Sequence, residues 1–376
     1  MCAIAAKPRA RVTLKDIAAH CGVSIGTVSF VLRGDPRFSP DTVARVQEAA
    51  KTLGYDPATN HAARRLVMMG RGGKVLNQLA AVLLPAHFIR ANYFAQLFQG
   101  VSEALTRERY GMLMLPLLGW HESPEELPFL PPTLTRGEVD GLIAFEAQRD
   151  AAILLERLSA HYDLAAFPIV FLLHAVPGAA SVLADDEAGG YAAAAHLLDL
   201  GHRALLFLPE MTGNSEISRR RRDGMRRACR DRGLDPAATL CEQPIAFGLS
   251  FPPYHLDPAD EDAARHPLVA YLRAHPEITG ILARNDAAAS RIAGLFACVG
   301  WTVPGDYSLV GYDDVDPLRD DAGRNILTSV RVPLEEIGQT AVDLLTRLIA
   351  ANTTSAEHII LPTELVVRAS TAPPRA

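Results

Sequence analysis

The chain has 376 residues, 49% of them hydrophobic and 21% charged, with a net charge of −6. That length exceeds one ordinary core and predicts two or three domains, and the balance is that of a globular chain, excluding a disordered or fibrous one. No apolar run approaches the roughly 20 residues of a membrane helix, and the first residues lack the apolar core of a secretory signal.

The charge is unevenly distributed. Residues 1–74 carry 12 Lys/Arg against 5 Asp/Glu, whereas the remainder carries 25 against 38. All four lysines, at positions 7, 15, 51 and 74, fall in the first part. A basic module on an acidic body is the footprint of phosphate contact.

Within that module, residues 12–55 read as three short helices. Thr13 caps the first, with Asp16 favouring its positive end. Leu14, Ile17 and Ala18 supply an apolar face, and Gly22 can take the positive φ that ends a helix. Ser24 caps a second helix running to about Leu32, with Val28, Val31 and Leu32 inward and Ile25, Gly26, Thr27, Ser29 and Phe30 outward. Ser39-Pro40 opens a third, with Val43, Val46, Ala50 and Leu53 inward. Helix, glycine turn, helix is the geometry that lays a recognition helix in a DNA major groove. The bland alternative, a helical bundle with no nucleic-acid role, is disfavoured by the charge.

Residues 58–76 form a linker with a short, marginal helical stretch at 60–67. From residue 79 the texture becomes alternating strands and helices. Strands are expected at 79–84, 111–118, 141–145, 168–173, 204–208, 278–283 and 308–312. Helices are expected at 93–109, 189–200, 219–232, 287–299 and 333–350. Continuous apolar strands separated by helices predict parallel sheets covered on both faces. There are enough units for two doubly wound lobes, roughly 77–180 and 180–330, with the chain crossing back near its end. A ligand of such a fold sits beyond the carboxyl ends of the strands, in the cleft between lobes.

Five scattered cysteines (2, 21, 229, 241, 298) with no CxxC predict reduced thiols in a cytoplasmic protein, not disulfides or zinc. Cys21 and Cys298 sit in apolar settings and are expected in cores. The loop after the first strand, Pro85-Ala86-His87-Phe88, has neither GxGxxG nor GxxxxGK[ST], so no phosphate cradle is visible. No catalytic triad or metal-ligand spacing stands out, and Asp313-Asp314 after a strand is weak evidence for catalysis. The reading is a non-enzyme with no metal and no cofactor.

Thr13-Leu14-Lys15-Asp16-Ile17-Ala18, Gly22-Val23-Ser24, Thr27-Val28-Ser29, Val31-Leu32 and Leu53-Gly54-Tyr55-Asp56-Pro57 resemble the headpiece of the LacI/GalR family of bacterial transcriptional regulators. Further matches run through the rest of the chain, among them Asp140-Gly141, Gly189-Gly190, residues 196–203, Asn285-Asp286, Val303-Pro304-Gly305-Asp306, Leu309-Val310-Gly311-Tyr312-Asp313-Asp314 and Leu361-Pro362-Thr363-Glu364-Leu365. The resemblance implies an all-α helix-turn-helix headpiece (1–57), a hinge helix and linker (58–76) and an α/β core of two doubly wound, periplasmic-binding-protein-like lobes (77–370). It implies a cytoplasmic homodimer that represses transcription at a double-stranded DNA operator, modulated by a sugar-like effector and with no membrane partner. The alternatives are an effector-independent repressor with a vestigial cleft and, less favoured, a solute-binding protein.

Residue by residue, the resemblance places Ser24, Ile25, Gly26, Thr27, Ser29 and Phe30 on DNA. Arg64 and Leu66 fall in the Ala63-Arg64-Arg65-Leu66 hinge motif, with Leu66 as a minor-groove wedge. It places Arg221, Asp286 and Asn285 on the effector; His87 and Glu146, on loops after strands, line the same cleft, and Phe247 falls by a looser match where an aromatic stacks on a sugar ring, with a plain core phenylalanine as the favoured alternative. For the other three arginines of the run 219–222 the expectation is a solvated helix face. Two departures stand out. Tyr55 to Leu66 is eleven residues where the family has nine. Ile25, Gly26 and Phe30 occupy base-reading positions that usually carry polar side chains.

Overall fold

The computed structural model describes residues 12–32, 35–55, 76–85, 92–117, 132–135, 138–145, 148–209, 215–243 and 263–375. They form two compact units, divided between Gln78 and Leu79.

The first unit holds helices α1 (Leu14–Cys21), α2 (Ile25–Leu32) and α3 (Pro40–Thr52). Their ends are set by local chemistry. The Asp16 carboxylate accepts from the Thr13 amide and hydroxyl, each at 2.7 Å. Gly22 ends α1 in the left-handed region at φ 64°. Ser24 and Ser39 accept from the amides of Thr27 (3.0 Å) and Thr42 (3.3 Å), opening α2 and α3. Ile17, Ala18, Val28, Val31, Val46, Ala49, Ala50 and Tyr55 form the core, with Leu14, Cys21, Leu32, Val43 and Leu53 packed against it half-buried. The three-helix reading of residues 12–55 is what the chain adopts.

The second unit contains two six-stranded sheets. The strands are β1 (Leu79–Pro85), β2 (Gly111–Leu117), β3 (Gly141–Ala144), β4 (Ile169–Leu172), β5 (Ala180–Ala184), β6 (Leu205–Leu208), β7 (Leu240–Glu242), β8 (Gly280–Ala283), β9 (Ser308–Asp313), β10 (Thr328–Arg331), β11 (His358–Leu361) and β12 (Glu364–Val366). The first sheet has the order β11-β5-β4-β3-β1-β2 and is parallel throughout. The second has the order β12-β10-β9-β8-β6-β7 and is parallel except for the β10–β12 pair. The helices include α4 (Asn92–Arg107), α5 (Gln148–Ser159), α6 (Asp186–Asp199), α7 (Glu216–Asp231), α8 (Pro267–Ala274), α9 (Asp286–Cys298) and α10 (Leu334–Ala351).

The chain passes between lobes three times: from β5 to α6, from β10 to α10, and from β11 to β12. The two expected lobes, with the chain crossing back near its end, are what the sheets form. The first lobe runs through β5, four residues beyond 180. The last long helix, α10, returns to the first lobe and packs on α4 and on β3, β4 and β5. Gly100 and Gly338 allow that packing, because a Cβ at either would collide with backbone across the interface. The crossings are tied together. Asp314 pairs with Arg331 and Arg368, both at 2.7 Å, and Thr363 donates its hydroxyl to the Asp185 carbonyl at 3.1 Å.

The cysteine expectation needs correction. Cys298 ends α9 and is exposed; Cys21 is half-buried against the headpiece core as expected, and among the described cysteines Cys229 is the buried one. Residue 298 lies in an apolar sequence neighbourhood, but its helical position turns it outward.

Candidate functional site

Strands β8 and β9 end at Ala283 and Asp313, and the chain after each forms one side of a buried charged cluster. On this side α6 and α7 lie backbone to backbone. A Cβ at Gly190 would collide with the Arg221 carbonyl, and one at Gly224 with the Glu187 carbonyl. This approach brings the α7 residue Arg221 beside Asp186 at the start of α6. The Arg221 Nε donates to Asp186 Oδ1 at 2.8 Å, Nη1 donates to the Arg284 carbonyl at 2.7 Å, and Nη2 lies 3.9 Å from Asp313 Oδ1. The guanidinium carbon stands 3.4 Å from the Tyr312 ring centroid, a cation–π contact. Arg221 and Asp313 are 9% and 7% exposed, so the two groups meet out of water.

Burial alone would pull the Arg221 pKa down, but Asp186, Tyr312 and Asp313 carry it above its ordinary value. Burial pushes Asp313 up to about 8; Arg221 opposes this, while Asp286 and Asp186 add to it. Asp313 also sits at φ 96°, a backbone conformation strained for a residue with a side chain. Backbone strain and a displaced pKa on one buried carboxylate make Asp313 a candidate site residue.

The other lobe contributes the start of α4. Asn92 Nδ2 donates to Asp316 Oδ1 at 2.6 Å, joining the lobes directly. Tyr93 is half-buried beside them, its hydroxyl held well above the usual pKa by burial and then by Asp313 and Asp186.

Asp286, at the start of α9, is held by several groups of its own lobe. It is 1% exposed and accepts from Ser329 Oγ (2.5 Å), the Val315 amide (2.7 Å) and the Asp316 amide (3.3 Å). It fastens the segment after β9 to the start of α9. Burial raises it to about 7, against the lowering pull of those hydrogen bonds. Asn285 caps α9, its Oδ1 accepting from the Ala288 amide at 2.9 Å. The solvated-face expectation fails for Arg222, which is half-buried and paired with Glu242 at 2.5 Å, joining α7 to β7. His87, Glu146 and Phe247 lie outside the described residues, as do Arg64 and Leu66. Sequence reasoning left out Tyr93, Asp186, Tyr312 and Ser329, and discounted Asp313. The one local signal was the acidic pair directly after a strand.

A separate open groove of about 660 Å³ lies between α4 and α10 and is lined by Arg107, Glu108, Gln339, Asp343, Thr346 and Arg347. It is lined from the first lobe alone, and its arginines are already paired, Arg107 with Asp343 and Arg347 with Glu357.

In the headpiece, α2 presents Ser24, Ile25, Gly26 and Phe30 to solvent, with Thr27 and Ser29 half-buried. The Ser24 and Thr27 hydroxyls lie 2.9 Å apart, hydrogen-bonded to each other. Ile25 is 49% and Phe30 39% exposed.

The description "Bacterial regulatory proteins, lacI family" matches residues 13–58, and "Periplasmic binding protein-like domain" matches residues 194–371. The chain is 28% identical over 363 residues to the HTH-type transcriptional repressor PurR of Mannheimia succiniciproducens, covering 95% of this chain and 98% of that one. Its fold is similar to the transcriptional regulator CelR–cellobiose complex, with a TM-score of 0.61 at 23% identity over 96% of this chain and 100% of that one. It is also similar to a ribose-bound LacI family regulator from Enterococcus faecium, with a TM-score of 0.60 at 25% identity over 79% of this chain and 100% of that one.

Proposed function

Because the chain belongs to the LacI family of bacterial regulatory proteins, we propose that it is a cytoplasmic, homodimeric repressor that binds a pseudo-palindromic operator and answers to a sugar or sugar derivative held between its lobes. The observation that carries this reading is the pairing of two features in one chain. A basic helix-turn-helix unit exposes one face of α2. The two-lobed core holds a buried, displaced carboxylate, Asp313, and the Arg221 guanidinium beside Tyr93 of the opposite lobe, whose neighbour Asn92 bonds to Asp316. A ligand rich in hydroxyls suits this mixture of acceptors and fork-shaped donors. The ribose held by the Enterococcus faecium regulator supports a sugar-like class. Arg221 and Asp313 are the contacts we assign, with Asp286 and Asn285 shaping the floor.

Effector binding would change how the lobes meet at Asn92–Asp316 and loosen a hinge in which Leu66 wedges the minor groove. A coupling of roughly 1–3 kcal/mol between the two sites is sufficient to change operator occupancy. The test is selection of bound genomic fragments by the full chain, repeated across a sugar panel. Sequence-specific enrichment that one sugar alters is expected; no enrichment at moderate salt overturns the regulator reading. Leu66→Ala should weaken specific binding far more than non-specific binding, and equal losses would refute the wedge.

One observation favours the second reading, a repressor without an effector. All three Arg221 nitrogens are already engaged by Asp186, the Arg284 carbonyl and Asp313. If no sugar shifts the melting point of the full chain, the cleft is vestigial.

A further inference from the structure

The operator-binding reading leaves open what α2 recognises, since its polar groups are few and engaged. The Ser24 hydroxyl accepts from the Thr27 amide at 3.0 Å and pairs with the Thr27 hydroxyl at 2.9 Å. Five large hydrophobic side chains are strongly exposed among the described residues, and two of them, Ile25 and Phe30, lie on this eight-residue helix.

Phe30 is held in place. Its ring stacks on Phe38 with centroids 6.4 Å apart and an interplanar angle of 26°. The Arg37 guanidinium carbon lies 5.3 Å from its centroid. Arg37 is itself fixed by Asp35, with Nε donating to Oδ1 at 3.0 Å and Nη2 to Oδ2 at 2.7 Å. An exposed aromatic ring is thus braced by a second ring and bordered by a guanidinium that Asp35 holds in place.

Gly26 is the second observation. At about 3.6 residues per turn it lies between Ile25 and Phe30, opposite the buried Val28 and Val31. A Cβ there would meet only Ser24 Oγ, at an ordinary 3.6 Å, so the fold imposes no steric need for glycine. Alanine would favour the helix more. What glycine supplies is a surface with no side chain, where another molecule can approach the helix backbone between two apolar walls.

Resting on the operator-binding reading, we propose that Ile25, Gly26 and Phe30 form an apolar notch that receives the 5-methyl group of thymine. In the major groove only the thymine edge offers an apolar group, and an apolar side chain reads it without a hydrogen bond. The notch selects T·A over C·G by that methyl.

The experiment measures binding of the full chain to its selected operator with each half-site thymine replaced in turn by deoxyuridine. One or two positions per half-site should weaken binding about fourfold per methyl removed. At those positions 5-methylcytosine should bind better than cytosine. Phe30→Ala should abolish the uracil penalty. Gly26→Ala should raise the melting midpoint of the headpiece while weakening operator binding. Specific binding that tolerates uracil everywhere overturns the notch and leaves the regulator reading intact. Unchanged binding by Gly26→Ala overturns the close approach. Failure to enrich any sequence overturns the regulator reading and the notch together.

Discussion

The α2 face and the Arg221 cluster invert the ordinary partition of a globular protein in opposite directions. The headpiece exposes Ile25 and Phe30; the core buries Arg221, Asp186, Asp286 and Asp313. Exposed large apolar groups and buried charges are the informative exceptions to burial rules. The core can hold its charges because they are mutually paired and hydrogen-bonded. The headpiece can hold its exposed apolar groups because Val28, Val31 and the rest of its small core stabilise the fold without them. What the contrast teaches is that the core cluster is bound up with stability, whereas the α2 face is free to serve recognition.

The sharpest way to break that contrast is Arg221→Met. It leaves Asp186 and Asp313 buried without their cation and should cost about 3–5 kcal/mol in denaturant unfolding of the core. A loss under 1 kcal/mol would mean the cluster is not structurally coupled.

The pH dependence comes next. Burial raises Asp286 and Asp313, so the folded core keeps protons that the unfolded chain has released. Their stabilising contribution is whole below about pH 4 and is lost as pH climbs through about 7 and 8. Thermal unfolding of the full chain should show the core weakening over that window, and Asp313→Asn should flatten its upper part.

Gly224→Ala should push α6 from α7 and cost about 1–3 kcal/mol, with any effector response lost at the same time. Calorimetry that finds wild-type stability would show that the helices can part freely. The smallest effect belongs to the headpiece. Ser39→Ala removes the cap on Thr42 and should lower headpiece stability by about 1 kcal/mol, leaving the core transition where it was.

Much of the fold was legible in the residues. Thr13, Gly22, Ser24 and Ser39 signal helix ends through backbone chemistry that acts within four residues. Apolar runs such as those at 79–84 and 278–283 signal buried parallel strands, and β1 and β8 form there. The division into two lobes near residue 180 and the return of the chain near its end were legible too, but the lobe that the last long helix covers was not. The period of α10 marks an inward face but carries no information about which lobe it covers. The Gly100–Gly338 approach that settles this joins residues 238 positions apart.

The site divides the same way. The exposed face of α2 follows from helical spacing alone, so Ile25, Gly26 and Phe30 were assigned in sequence and lie on the exposed face of α2 as expected. Asn285-Asp286 was read as a ligand pair; that Asn285 also caps α9 and Asp286 also ties down the segment after β9 only the fold shows. Asp313 was discounted, because its distinction is its burial, its φ of 96° and its proximity to Arg221.

By itself, then, the sequence determined a basic three-helix headpiece, an α/β core and the polarity of the α2 surface, all of which rest on local periodicity and capping. Tertiary structure alone decided which lobe α10 covers, the pairing of Arg221 with Asp186 and Asp313, and the displaced carboxyl pKa values. Each of those depends on distance and desolvation between residues far apart in the chain, which no local pattern encodes.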